Sequence, residues 1–285
     1  MSEPFVEGTD RVPTLLTAGV LLLVHTNVFI SLAATSVAIT TILLLGLPLD
    51  PVPLVIVFAV ALFAYSVNRL ADRDEDEVNL PTRAAFVSTY GVPLLAVATL
   101  AYVGAIALAV ALGLPGTLFL LVPALATVLY SLGGMKRLLL VKNLTVGVVW
   151  GGIPLGVGVY YGVVSTPELH VLTGFTVVTL TVAAAVFDIK DIDGDRAEGI
   201  RTLPVAVGPR TTRIIAGAVT VATVPAVVVA AAVFSSRFLV LLGLLGYVLA
   251  YIPFATPDRG PLFYGFVVDG EHLFLAALTV LVVGV

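Results

Sequence analysis

The sequence predicts an all-α polytopic membrane protein, about nine transmembrane helices bundled around a central cavity, and three observations predict it. First, hydrophobic residues make up 59% of the 285, charged residues only 11%, and the mean hydropathy is +1.13. A soluble domain carries about 25% charged residues, so a soluble globular fold is excluded. Disorder, coiled coil and collagen fall with it. Second, apolar runs of about 20 residues, the length a spanning helix needs, follow one another along the chain. Third, the basic residues sort almost entirely to alternate connections.

The N-terminal tail 1–13 is polar and acidic, with Glu3, Glu7 and Asp10 against Arg11. It lacks the basic region of a signal peptide and reads as disordered. Spans follow near 17–47, 52–70, 86–112, 117–133, 144–162, 170–188, 211–233, 238–255 and 271–285. The first is long for one helix, so it tilts or begins at the interface. The last is short and runs to the chain end. Together, 1–285 reads as one integral-membrane domain.

An odd count puts the termini on opposite sides. One side then carries Arg11, Arg69, Arg73, Arg83, Lys136, Arg137, Lys142, Lys190, Arg196, Arg201, Arg210, Arg213 and Arg259, and the other carries only Arg237. The positive-inside rule places the N-terminus and the charged loops in the cytoplasm and the C-terminus outside the cell membrane. Of 18 acids, only Asp50 and Glu168 fall on the outer side. One face is therefore rich in charges of both signs. The absence of cysteine excludes disulfides, thiolate nucleophiles and Cys-ligated metals. A net charge of −4 offers no surface for nucleic acid.

Two acidic runs stand on the charged face. At the end of the second span, Asn68, Asp72 and Asp76 are spaced i, i+4, i+8 and share one helical face, while Asp74, Glu75 and Glu77 point elsewhere. At the end of the sixth, Asp188, Asp191 and Asp195 are spaced i, i+3, i+7, again one face, with Gly194 expected to fray the helix before the last acid. Carboxylates in a row repel one another unless something positive neutralises them. Mg²⁺ prefers oxygen and commonly bridges one or two carboxylates to a substrate phosphate. Two facing runs can hold such ions around a diphosphate. A solvated helix cap is the competing explanation for either run alone.

A basic loop lies on the same face: Tyr130, Lys136, Arg137, Lys142 and Asn143. Its cations can contact diphosphate oxygens, although topology alone also demands bases there. Tyr130 fits an interfacial belt equally well, and Arg83 and Arg201, each following an acidic run, are further diphosphate candidates. The fifth span carries Gly147-x-x-x-Gly151 and Gly152-x-x-x-Gly156, small faces that favour close helix packing over lining a cavity. His25 and Asn27 are polar residues inside the first span with no assigned role.

Taken together, Asn68-x-x-x-Asp72-x-x-x-Asp76, Asn79-x-Pro81-x-Arg83, Tyr130-Ser with Lys136-Arg137 and Lys142-Asn143, Asp188-x-x-Asp191-x-x-x-Asp195 and Gly199-x-Arg201-Thr-Leu-Pro204 resemble the UbiA superfamily of intramembrane prenyltransferases. The resemblance implies a helical bundle around a cavity and a Mg²⁺-dependent transfer of a prenyl group from an allylic prenyl diphosphate to a lipophilic acceptor in the bilayer. It implies Asp72, Asp76, Asp191 and Asp195 as metal-holding catalytic residues, with Asn68 and Asp188 assisting. Lys136, Arg137 and Lys142 contact the diphosphate on the same analogy. Two departures, Arg69 after Asn68 and Arg83-Ala-Ala after the first run, leave the acceptor open between an aromatic or quinone precursor, an ether-lipid glycerol phosphate, a carotenoid and a tetrapyrrole. A cation-coupled transporter is the alternative class. It would place its ionisable groups near the membrane midplane, whereas nearly all the acids here sit at one face.

Overall fold

The computed structural model describes residues 15–71, 81–132, 141–197, 199–260 and 262–284; the side chains of 15–18, 81–82 and 128–132 are not described. All regular structure among these residues is helical. In chain order the helices are α1 (Leu15–His25), α2 (Val28–Leu44), α3 (Pro51–Ala71), α4 (Pro81–Ala111), α5 (Leu121–Leu132), α6 (Val141–Tyr161), α7 (Pro167–Phe187), α8 (Ile192–Ala197), α9 (Leu203–Val233), α10 (Leu241–Tyr251) and α11 (Glu271–Val283). A π-helical segment, Phe263–Val268, precedes α11.

Seven of the described helical stretches are long and apolar enough to cross a membrane, and the first span adds one more as a bent pair. That pair, Gly19–His25 and Val28–Leu44, breaks by 74°. Asn27 causes the break. It holds φ 62°, the left-handed region that Asn tolerates better than most side chains. Its Nδ2 donates to Ser66 Oγ at 3.4 Å, and Ser31 Oγ donates to its carbonyl at 2.7 Å. The fourth expected span is helical from Thr117 to Leu132, where this described stretch of the chain stops. The last expected span begins earlier than its apolar run suggests: Phe263–Val283 forms one stretch through the π-helical segment.

Glycine decides how the second half packs. A Cβ at Gly147 would stand 2.2 Å from Thr181 Oγ1, one at Gly151 2.5 Å from Val177 Cγ2, and one at Gly158 2.2 Å from Leu169 Cδ2. So α6 lies against α7 at backbone distance. Gly152 and Gly156 meet nothing within 4 Å, so only the first of the two glycine motifs serves this contact. The largest apolar core joins α7, α9, α10 and α11 through residues such as Phe175, Val186, Leu244, Tyr264 and Leu275. Within a bilayer, van der Waals contact between these interlocked side chains, rather than expulsion of water, holds the carboxyl half together.

The two ends of the bundle are built differently. At one end, Tyr160 Oη donates to Asp50 Oδ2 at 2.7 Å and Tyr161 Oη donates to the Pro48 carbonyl at 2.6 Å, tying the α2–α3 turn to the end of α6. At the other end the termini of α3 and α7 and the starts of α4, α6 and α11 meet around a cavity.

Candidate functional site

The cavity encloses about 1100 Å³, its open mouth included. Three helices set its wall by simple periodicity. Lys142, Val146 and Trp150 descend one face of α6 at i, i+4, i+8, a drop of about 12 Å. Leu180, Ala184 and Asp188 climb α7 in the same spacing, and Tyr65 and Arg69 end α3. The charged residues sit at the helix ends and the apolar ones below them. Trp150 Nε1 donates to Tyr65 Oη at 3.0 Å and closes the floor.

The second acidic run is not one continuous helical face. α7 stops at Phe187, and Ile189, Lys190 and Asp191 each donate a backbone N–H three residues back before α8 starts at Ile192. A turn of three residues eclipses i and i+3, so Asp188 and Asp191 both face the cavity. The break precedes Gly194, which lies buried within α8. Asp195, moved on by the turn, is wholly buried and is not part of the cavity wall. Asp193 points away, bonded to exposed Arg196 at 3.3 Å.

Two of the cavity acids, Asp188 and Asp191, already have a cation. Lys142 Nζ stands 2.8 Å from Asp188 Oδ1, and Asn143 Nδ2 donates to Asp188 Oδ2 at 2.8 Å. Lys190 Nζ donates to Asp191 Oδ1 at 2.6 Å while lying 4.6 Å over the Phe187 ring. Burial pulls the Lys190 ammonium below its usual value, against Asp191. Burial also pushes the Asp195 carboxyl up to about 6, with Lys142 opposing. Thr202 faces Asp195, yet neither carboxylate oxygen has a well-formed hydrogen bond among the described residues.

Asn68, Arg83, Lys142, Asp188 and Asp191 therefore line one cavity, whereas Arg201 is exposed and outside it. Asp72, Asp76, Lys136 and Arg137 lie outside the described residues, as does the side chain of Tyr130. So does the tail 1–13. Among the described residues no three His, Asp or Glu converge as a ready metal centre. The donors that are described still suit a hard cation, because they are carboxylate oxygens at positions where a lysine now supplies the positive charge.

Several wall residues escaped sequence reasoning. Lys190 was counted for topology only, though it sits inside the acidic run. Arg69, Asp269, Glu271 and His272 also line the cavity. Glu271 and His272 had a signal: two ionisable residues opening an otherwise apolar span. A smaller neighbouring cavity holds His25 beside Arg69, Arg83, Lys190 and Asp269.

Known proteins are similar to this chain in sequence and in fold. Residues 22–261 match the UbiA prenyltransferase family. A digeranylgeranylglyceryl phosphate synthase of Natronomonas pharaonis is 32% identical over 191 residues, 64% of this chain and 62% of that protein. The synthase of that name from Methanothermobacter thermautotrophicus is 28% identical over 179 residues, 57% of each chain. The chain thus matches less than two thirds of the length of these curated relatives. A solved UbiA homologue of Archaeoglobus fulgidus, bound to DMAPP and Mg²⁺, superposes with TM-score 0.64 at 15% identity, covering 93% of this chain and 99% of that one. A solved digeranylgeranylglyceryl phosphate synthase superposes at TM-score 0.56, with 15% identity and coverage of 93% and 96%. At such identities the superpositions speak for the fold alone.

Proposed function

The chain belongs to the UbiA prenyltransferase family, and from that premise we propose that it transfers a prenyl group from an allylic prenyl diphosphate to a lipophilic acceptor at the charged mouth of its cavity. One observation carries the reading: Asp188 and Asp191, with Lys142, Lys190, Arg69 and Arg83, gather at the open end of a pocket lined further in by Ile30, Val146, Trp150 and Leu180. A diphosphate needs cations and cation-holding acids. A prenyl tail needs the reverse, a dry apolar floor that keeps solvent from an allylic cation.

In this reading Asp72, Asp76, Asp191 and Asp195 would hold Mg²⁺, with Asn68 and Asp188 assisting. When bound, the metal supplies charge neutralisation for the departing diphosphate. Lys142 and Arg83 fix the diphosphate oxygens, and Lys136, Arg137, Tyr130 and Arg201 are assigned to the same group from the family pattern alone. Lys190, paired with Asp191 at 2.6 Å, would serve as a further cation for the leaving group wherever Asp191 were engaged by Mg²⁺ instead. Trp150 and Tyr65 present rings where the allylic carbon would lie, below the charged layer.

Between the acceptors that the sequence leaves open, an ether-lipid glycerol phosphate is favoured, because the curated relatives are synthases of such a lipid. The count of spans reaches nine when the short helix after Gly116 is read as membrane-embedded alongside the seven and the bent pair. With 13 of 14 bases on the mouth's side, that side is read as cytoplasmic. The family match does not support the transporter, and most of the described charges gather at one mouth rather than along a path across the bilayer.

The test supplies purified protein with labelled geranylgeranyl diphosphate, Mg²⁺ and total lipid extract. Label is expected in an extractable product, dependent on Mg²⁺, and mass spectrometry of that product names the acceptor. Label that stays in the diphosphate under all conditions overturns the reading.

A further inference from the structure

Transfer releases a proton, and Asp188 and Asp191 at the mouth are each engaged with a lysine. Deeper in the same cavity stands a side chain that nothing above uses. His272 is 2% exposed, and neither Nδ1 nor Nε2 has a hydrogen-bond partner among the described residues. An imidazole buried with both nitrogens idle is costly, and a purely apolar residue would fill the space without that cost. Its ring lies 6.0 Å from that of Trp150, on the cavity floor. Asp269 of the charged layer precedes it by three residues, less than one helical turn.

Its neighbour is arranged to support it. Glu271, 1% exposed, accepts from Tyr251 Oη at 2.8 Å through Oε2. That bond fixes the carboxyl and leaves Oε1, otherwise without a hydrogen bond, 3.7 Å from His272 Nε2. The π-helical turn Phe263–Val268 brings this pair inward at the head of α11; such turns occur frequently at functional sites.

We propose that His272, with Glu271 beside it, is the base that takes the proton lost by the acceptor; this rests on the prenyltransferase reading. The C1–O bond of the prenyl diphosphate breaks with both electrons leaving on oxygen, giving diphosphate and the allylic cation. An electron pair of the acceptor's nucleophilic atom forms the new bond to C1. The hydrogen on that atom passes as a proton to an imidazole nitrogen, and its bonding pair returns to the acceptor. The imidazolium stands beside Glu271 Oε1 and later releases its proton through the mouth. The acceptor is therefore one that carries a removable proton on its attacking atom and meets a hydrogen-bonding side chain below the diphosphate layer.

The test compares wild type with H272Q and E271Q, using labelled geranylgeranyl diphosphate with Mg²⁺ and total lipid extract. H272Q is expected to lower kcat by about 10²- to 10⁴-fold, the usual scale of general-base catalysis. Its KM and directly measured affinity for the diphosphate should stay within about twofold of wild type. E271Q should lower kcat less, by about tenfold, because the base remains and only its support is lost. An H272Q enzyme with wild-type kcat overturns the inference. So does one whose diphosphate affinity falls together with kcat, because His272 would then be building the site. If wild type moves no label, the prenyltransferase reading itself fails and this inference falls with it.

Discussion

Two acids at opposite ends of the bundle make a useful pair. Asp50 precedes α3 and Asp188 ends α7. Asp50 faces the positive end of a helix dipole. Its Oδ1 accepts from the Val52 amide at 2.8 Å, and its Oδ2 from Tyr160 Oη. These bonds, the tyrosine first, hold its carboxyl below the usual range. Asp188 faces the negative end of a dipole and is only 3% exposed. Neutral donors do not suffice there, and Lys142 completes it. An acid at a helix start explains itself as a cap. An acid buried at a helix finish demands a cation, and two in one cavity wall mark a place where cations are held.

The comparison breaks most visibly in activity. Asp191→Asn should lower transfer by about 10²- to 10³-fold, the scale seen when one electrostatic contact to a developing charge is removed. Asp50→Asn, at the far end, should leave the rate unchanged. Labelled-product formation measures both, and equal losses would show that the two ends are not functionally distinct.

Stability sharpens the contrast next. Asp188→Ala removes the carboxylate that Lys142 and Asn143 share. Breaking a buried pair costs about 3–5 kcal/mol, and the low end, about 3 kcal/mol, applies because Lys142 keeps 19% of its side chain exposed. Denaturation midpoints in detergent should show it. Replacing Asp188 by Asn keeps two hydrogen-bonding atoms and should cost less.

A smaller effect separates the site from its scaffold. Gly147→Ala drives a methyl against Thr181 and the Val177 carbonyl, prising α6 from α7 and with it Lys142 from Asp188. Overpacking of this kind costs about 1–3 kcal/mol. Gly152→Ala, facing open space, should stay within about 0.5 kcal/mol of wild type. A thermal melt of the two alanine variants side by side checks the contrast.

Much of this was legible in the sequence, and the misses have physical causes. Long apolar runs and one-sided arginines announce spans because backbone groups in lipid must bond within their own helix. Composition cannot show that Asn27 turns left-handed and bends the first span, since that choice depends on Ser31 and on Ser66 of a helix 39 residues away. Periodicity predicted Asp188, Asp191 and Asp195 on one face. The tighter turn at 188–191 kept the first two together and sent the third inward. Glu271 and His272 were passed over because they open the weakest apolar run, and only the π-helical turn before them shows why they point into the cavity.

Asp195 belongs to neither end of the comparison and gives the subtlest test. It is wholly buried, and burial lifts its carboxyl from 3.8 to about 6 despite Lys142. A raised carboxyl binds its proton more tightly in the folded chain than in the unfolded one. Its contribution to stability is full below the unfolded value of 3.8 and is lost as pH rises through about 6. Asp195→Asn imitates the protonated form at every pH. Without metal, the variant should melt above wild type near neutral pH and together with it at about pH 4. If Asp195 holds Mg²⁺ as proposed, adding the ion at neutral pH should raise the wild type toward the variant, because a ligand stabilises only the state that binds it. A variant that gains as much from Mg²⁺ as the wild type would remove Asp195 from the metal-holding set and leave it a buried acid of the second run alone.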